Sequence, residues 1–592
     1  MTQEASGDRR ARRARRFPVR TAIFVVLGLL VVAVGWVGVR AWMAKEDVDA
    51  MLPLARELQN AAASQDLDQV DAIASELSAR AGAVAGVEND PLWRAAEIVP
   101  IAGPNLSAVR IAATEVNALA ELVPDLTAAV RLLADSPEGV FIDPAELAAT
   151  SPTFAHADEV VTTASERLAA IDQEPLLGMV ADGVAQVSDA VTQLAPVVST
   201  AADATSVLPA MLGGDGERSI LVMIQNNAEL RTGGGITGSF AELRVDGGHI
   251  DLVRQADSRE FTPRTTDIVE LPDSVLTLYS DVVGRFAQNM SMPTDLETTA
   301  ALGTAWWNEL TGTSPDTIVS VDPVVLQALL SVTGPVDLPN GQQLTAENLV
   351  DVLLVQPYRT LETEQQTELF AAATDAVFDR VAGGGIDPFA LMQAMSQPVA
   401  DGRISIWNAD SDENAVFASS LLGGPVARQD AAGTGAFAVY FNDATGAKLS
   451  TFLDIDISAA VTQCRSDGFA DVAVTVTMGS TAPDDLALLP ISVTGGGLYG
   501  VGVGDIGTNI SVAGPRAASA GAVIVKGEPY PAAVAVDNGH ATSAARVNLS
   551  PGEVNVLEFH FLVPEEDIDA LSLLHTPLLH SADVEVASVV CP

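Results

Sequence analysis

The sequence predicts a multidomain chain: an N-terminal transmembrane helix, an α-helical stalk or bundle, an α/β layered domain and a C-terminal β-sandwich. Three observations predict it. The 592 residues are too many for one hydrophobic core. An uncharged apolar run at 21–39 follows an arginine-rich head. The hydrophobic period then changes twice, from three- and four-residue spacing, to mixed strand and helix runs, to short strands divided by Gly, Pro, Asn and Asp.

Residues 1–20 form a basic tail, with RRARRARR at 9–16. The run 21–39 is close to the ~20 residues that cross a bilayer. Its flanking arginines belong on the cytoplasmic side, which places the bulk of the chain outside the cell as a single-pass membrane protein. No pair of small residues after the apolar core marks a clean signal-peptide cleavage site. The formal net charge is −46 and the mean hydropathy +0.27. So acidic a surface repels nucleic acid. Cys464 and Cys591 are the two cysteines. In an exported chain a lone pair is most simply one disulfide; two unpaired buried thiols are the alternative.

Residues 44–212 read as helical throughout, with breaks at Pro91, Pro100, Gly103-Pro104, Pro124 and Pro137. Heptads do not persist, so a bundle or folded stalk is expected rather than a long coiled coil. Residues 213–430 alternate strands (220–224, 240–245, 249–253, 317–321, 336–338, 402–407) with helices (296–311, 323–331, 345–354, 362–382, 386–395), the pattern of an α/β layered domain. Residues 431–592 hold strand candidates at 436–441, 449–457, 470–478, 498–503, 521–525, 553–561 and 583–590, which suggest a β-sandwich.

One stretch, QNNAELRTGGGITGSF at 225–240, puts Glu229 and Arg231 beside Gly233, Gly234 and Gly235, between two strands. Polar groups next to residues that let a backbone approach closely suit an anion or pyrophosphate. The same residues also suit a tight turn whose Arg231 caps carbonyls. Phosphoryl chemistry needs positive charge, from Arg or a metal, and an in-line nucleophile. Arg231, Arg259, Arg264, Arg285 and Arg359 are the candidate cations. Glu229, Asp257, Asp281 and Asp295 are the acids that would hold Mg²⁺ alongside phosphate oxygens. Asp257 and Asp295 head the metal set, although Asp295 also suits a helix cap. Asn442, Asp443 and Lys448 read as a turn with Lys448 pairing an acid. No nucleophile elbow, Walker loop, His-Glu-x-x-His motif or Cys/His zinc spacing is present.

Three stretches, 225–240, 306–354 and 439–454, resemble a family of membrane-anchored proteins of Gram-positive bacteria known as a domain of unknown function. More distantly, Glu309-Leu310-Thr311-Gly312, the strand at 317–321, Asp322 and residues 328–334 are similar to the LytR-CpsA-Psr family. That resemblance implies a LytR-CpsA-Psr-like α/β domain acting in the cell envelope. It also implies a role in moving glycopolymer from a polyprenyl-pyrophosphate carrier to peptidoglycan, with Mg²⁺. By position Arg231 matches a family arginine, and Gly233 stands where that family has an Asp. Asp257 and Arg259 stand where a second acidic and basic pair is expected, and Arg359 for a later arginine. Two functions are expected from this: a glycopolymer transferase or carrier binder, and a non-catalytic envelope scaffold that binds protein partners.

Overall fold

The computed structural model describes residues 53, 54, 57, 61, 66–85, 91–100, 102–134, 140, 142–483, 486, 488–586, 587 and 591. The basic tail and the apolar run at 21–39 lie outside them. Among the described residues no helix is long and apolar enough to cross a membrane. The described residues form two compact units: those within 1–131 and 150–202, and those within 132–149 and 203–592.

The first unit is helical. Helices Leu67–Ala85, Pro91–Ala96 and Ala102–Ala134 contribute to it, as do parts of Pro144–Ala169 and Gly178–Met211. Leu122, Ala157, Val161, Ala164, Leu168 and Val191 close one core. Asp68 and Asp71 hold Arg131 at 2.8 and 2.9 Å. The break expected at Gly103-Pro104 falls just before it, between Ala96 and Ala102; Pro104 sits in the first turn of Ala102–Ala134, where an N–H has no helical acceptor. Pro124 lies inside the same helix, so the break expected there is absent.

The second unit contains three mixed sheets and a short antiparallel ribbon of β5 (Val336–Asp337) and β6 (Gln343–Leu344). In the first, β1 (Arg218–Asn226), β2 (Ile236–Asp246), β3 (His249–Asp257), β4 (Thr317–Val321) and β7 (Ile404–Asn408) lie in the order β3-β2-β1-β4-β7. Only β1 and β4 in that sheet run parallel. The continuous apolar run in β1 has a simple cause, since both of its faces are covered. Leu221 and Met223 pack with Phe240, Trp306 and Trp307, whereas Val222 packs with Ala241, Val245 and Val325. Gly247 and Gly248, both at positive φ, make the two-residue turn from β2 to β3.

The C-terminal strands make two more sheets. One runs β13-β12-β16-β10-β9-β18 and the other β14-β15-β11-β8-β17. The first comprises β9 (Leu453–Cys464), β10 (Phe469–Ser480), β12 (Ser519–Val525), β13 (Glu528–Tyr530), β16 (Val554–Pro564) and β18 (Asp583–Ala587). The second comprises β8 (Gly435–Asp443), β11 (Ile506–Ala513), β14 (Ala533–Asp537), β15 (His540–Leu549) and β17 (Leu571–His575). Phe437, Val439 and Phe441 from β8 share a core with Val472, Val474, Phe559 and Phe561.

This architecture overturns the expected fold class. The outer face of a self-contained β-sandwich would meet water, but every residue of β8 is buried. Ala544 of β15 lies in the core formed by Phe240, Trp306 and Trp307, and Thr294 donates to Asp537 at 2.6 Å. Conversely, Ala228, Leu230 and Tyr358 lie in the core of the C-terminal sheets. A LytR-CpsA-Psr-like α/β domain and a closed sandwich therefore do not stand apart; helices and mixed sheets share cores in one unit. The strand expected at 498–503 is a loop, whereas β11, β14, β15 and β17 form where no strand was expected; β15, for one, is rich in Ala, Ser and Thr and carries little apolar alternation.

Cys464 and Cys591 form a disulfide, with Cα atoms 5.7 Å apart. It ties the chain end beyond β18, an edge strand exposed at all five positions, to the end of β9. Closing a loop of this length is worth about 4–5 kcal/mol in the chain-entropy model. A Cys591→Ser variant should lose less, because β18 will fray without unfolding the sheet. Amide exchange at 583–587 should quicken at least tenfold by mass spectrometry, while β10 keeps its protection.

Candidate functional site

The Gly-rich turn joins β1 to β2 and is largely buried. Gly235 is required there, since a Cβ would lie 2.3 Å from the Asn226 carbonyl. Gly234 has φ +118. The amides that would make an anion nest are turned to the protein: Gly233 N–H donates to the Ser291 carbonyl and Gly234 N–H to that of Arg231. Asn227 Nδ2 donates to Asp322 at 3.1 Å. Asp322 also caps the helix Pro323–Thr333 and pairs with Arg403 at 2.6 Å.

Arg231 is 5 % exposed, and all five of its N–H donors have protein acceptors. Nε donates to Asn289 Oδ1 at 3.2 Å; Nη1 donates to the Leu230 and Asp443 carbonyls at 2.8 and 3.2 Å. Nη2 donates to Glu229 Oε1 at 3.0 Å and Asn289 Oδ1 at 2.9 Å. The other Glu229 oxygen accepts from Lys448 Nζ at 3.1 Å. Lys448 thus pairs an acid, as its turn suggested, and its ammonium lies 5.5 Å from the Tyr358 ring centroid.

Burial alone would raise the Glu229 carboxyl, but Lys448 and Arg231 outweigh it and hold it below its ordinary value. Burial would lower Lys448, and Glu229 holds it above its ordinary value. Asp443 is pushed up to about 6, first by burial and then by the Glu229 charge. Its folded value lies above its unfolded one, so the native state binds more protons between them and stability falls as pH rises from about 3.8 to about 6. Asp443→Asn keeps an acceptor for Thr445 and should remove that slope from urea midpoints measured across the window. An unchanged slope would assign it to another group.

A cleft of ≈ 280 Å³ lies beside this network. The helix Thr363–Ala382 supplies Phe370, Thr374 and Val377, and Pro323–Thr333 supplies Leu326. The expected helix at 345–354 instead forms a wide π-turn, Asp351–Val355, running into Gln356–Thr360. That irregular turn brings Leu353, Leu354 and Tyr358 to the cleft, and π-turns of this kind recur at functional sites. Lys448 lines the cleft, with Asp257 and Arg259.

The structure brings some of the predicted residues together and separates others. Asp257 and Arg259 pair at the cleft, Nε to Oδ1 at 2.8 Å, and both also contact Thr367. Glu229 and Arg231 lie behind the cleft, joined to it through Lys448. Arg359 is exposed 5.9 Å from the Phe452 ring and does not line the cleft. Asp295 caps the helix Leu296–Thr311. Arg264 pairs with Glu309, and Arg285 with Asp281. Among the described residues no three His, Cys, Asp or Glu side chains gather as a metal set. The carboxylate oxygens of Asp257 both accept from Arg259, so this donor set does not fit Mg²⁺ as it stands. The sequence marked Lys448 only as the partner of an acid and did not mark the apolar lining, although Gln366, Phe370, Ala373 and Val377 recur at helical spacing.

No curated protein matches the chain. A model of a family described as a protein of unknown function (DUF4012) matches residues 215–358, from the start of β1 through the Gly-rich turn to Tyr358 in the wall of the cleft, and carries nothing on a LytR-CpsA-Psr likeness or a bacterial source.

Proposed function

We propose that the protein is a membrane-anchored, extracytoplasmic component of the cell envelope that binds a polyprenyl-pyrophosphate-linked glycopolymer and does not turn it over. The observation that carries this is the cleft: an apolar wall of Leu326, Leu353, Leu354, Phe370 and Val377 beside two cations, Arg259 and Lys448. An amphiphile with an anionic head and an apolar tail matches both. The anchor rests on the run at 21–39 and its arginine flank, and the Cys464–Cys591 disulfide suits an oxidising compartment. Binding without transfer is favoured because Arg231 has no donor left for a phosphate and Gly233 stands where an acid would be needed. Peptidoglycan and Mg²⁺ would enter only if transfer occurred.

Full-length protein in detergent should bind a fluorescent polyprenyl diphosphate, and bind the matching polyprenol several-fold more weakly. Arg259→Ala should narrow that gap; its pair with Asp257 is half exposed, so stability should change by about 1 kcal/mol or less. Equal binding of the two lipids would remove headgroup recognition. The second reading, a non-catalytic scaffold for envelope proteins, is favoured by the internal use of Arg231. It would be preferred if neither lipid bound and crosslinking in cells recovered a stable protein partner.

A further inference from the structure

From Leu486 to Gly504 the sequence carries no charged residue, in a chain of net charge −46. Much of this segment is a loop whose large apolar side chains face out. Leu488 is 86 % and Tyr499 67 % exposed, and Ile491, Leu498 and Val503 are exposed as well. Tyr499 is held at φ +61, a conformation bulky residues rarely adopt. Arg546 Nη2 donates to its carbonyl at 2.6 Å and fixes it there. The loop is continuous with the cleft. Ser492 lines it, and the neighbouring Val493 carbonyl accepts from the backbone N–H of Lys448 at 2.8 Å.

We propose that this loop inserts into the surface of a lipid bilayer and sets the Lys448 side of the cleft against the lipid. The proposal rests on the reading of the cleft as an amphiphile site. At ≈ 280 Å³ the cleft is at or below the lower end of ligand-site volumes, so it seats a headgroup and the start of a tail. The rest of a polyprenyl chain needs an apolar phase close to the mouth. A charge-free loop enters the headgroup region without desolvating an ion, and an exposed tyrosine suits the interface.

The native cysteines are joined in a disulfide, so Leu488→Cys or Tyr499→Cys introduces a single reactive thiol. Each is labelled with an environment-sensitive fluorophore in the full-length chain and reconstituted into phosphatidylcholine vesicles with or without brominated acyl chains. Glu528→Cys, on the exposed β13 strand, is the comparison position. Brominated lipid should quench the labels at 488 and 499 at least twofold and leave the one at 528 unchanged. No difference between the positions would overturn the proposal, as would a blue shift that grows with protein concentration and ignores bromine, the sign of contact with a second copy. A Leu488→Asp/Leu498→Asp variant should bind polyprenyl diphosphate in detergent as the wild type does, and lose at least fivefold in uptake of it from vesicles. Failure of wild-type binding in detergent would sink the cleft reading alone, and the quenching result would still decide the loop.

Discussion

Arg231→Ala is expected to lower the unfolding free energy of the second unit by about 3–5 kcal/mol, the range for removing one partner of a buried ion pair. The substitution deletes five hydrogen bonds in a region sealed from water. It leaves Asn289 Oδ1 and the Leu230 and Asp443 carbonyls without that donor, and leaves Glu229 only Lys448 to balance its charge. An unpaired buried polar group costs about 1–3 kcal/mol by itself. Arg231→Lys should recover little, since an ammonium restores the charge but not the planar fork that reaches four acceptor residues at once. The measurement is chemical unfolding followed by tryptophan fluorescence, since Trp306 and Trp307 are buried in the adjoining core. A residue reserved for a ligand would be removable at little cost to folding. A loss below about 1 kcal/mol for Arg231→Ala would therefore return this arginine to the ligand-binding role.

The same residue shows where the sequence stops being legible. Arg231 among glycines reads equally as an anion site or as a turn that caps carbonyls. What separates them is which acceptors surround the guanidinium, and two of these, Asn289 and the Asp443 carbonyl, lie 58 and 212 residues away in sequence. Local features fared better. The apolar run of β1, the Gly247-Gly248 turn and the helix begun by Asp295 depend on near neighbours, and each formed. Fold class failed because it depends on how layers meet. β8 alternates in no obvious way, and a strand buried on both faces looks the same whether its second cover is a helix layer or another domain. The cleft was hidden for a related reason. Helical spacing shows that Phe370 and Val377 share a face with Gln366, but not that a π-turn leaves space in front of them.

If the cleft takes the lipid carrier, Leu326→Trp should weaken binding by at least tenfold. Leu326 lines the cleft from the helix Pro323–Thr333 and is only half-buried, so a larger ring fills the ligand space with little strain on the core. Stability without ligand should stay within about 1 kcal/mol of wild type, in contrast to the 1–3 kcal/mol typical of overpacking a closed core. A ligand that binds only the native state at a hundred times its dissociation constant adds about 2.7 kcal/mol of stability. A tenfold weaker variant at the same concentration gains about 1.4 kcal/mol. The difference is measurable by chemical unfolding with and without polyprenyl diphosphate, with no activity assay. Lys448→Met provides the complementary result. It removes the cation facing the headgroup and also leaves Glu229 buried with Arg231 alone, so affinity and stability should fall together. Loss of affinity without loss of stability at Leu326, and of both at Lys448, would identify the apolar wall and the cation as parts of one site. Equal ligand stabilisation of wild type and Leu326→Trp would place the lipid elsewhere on the protein.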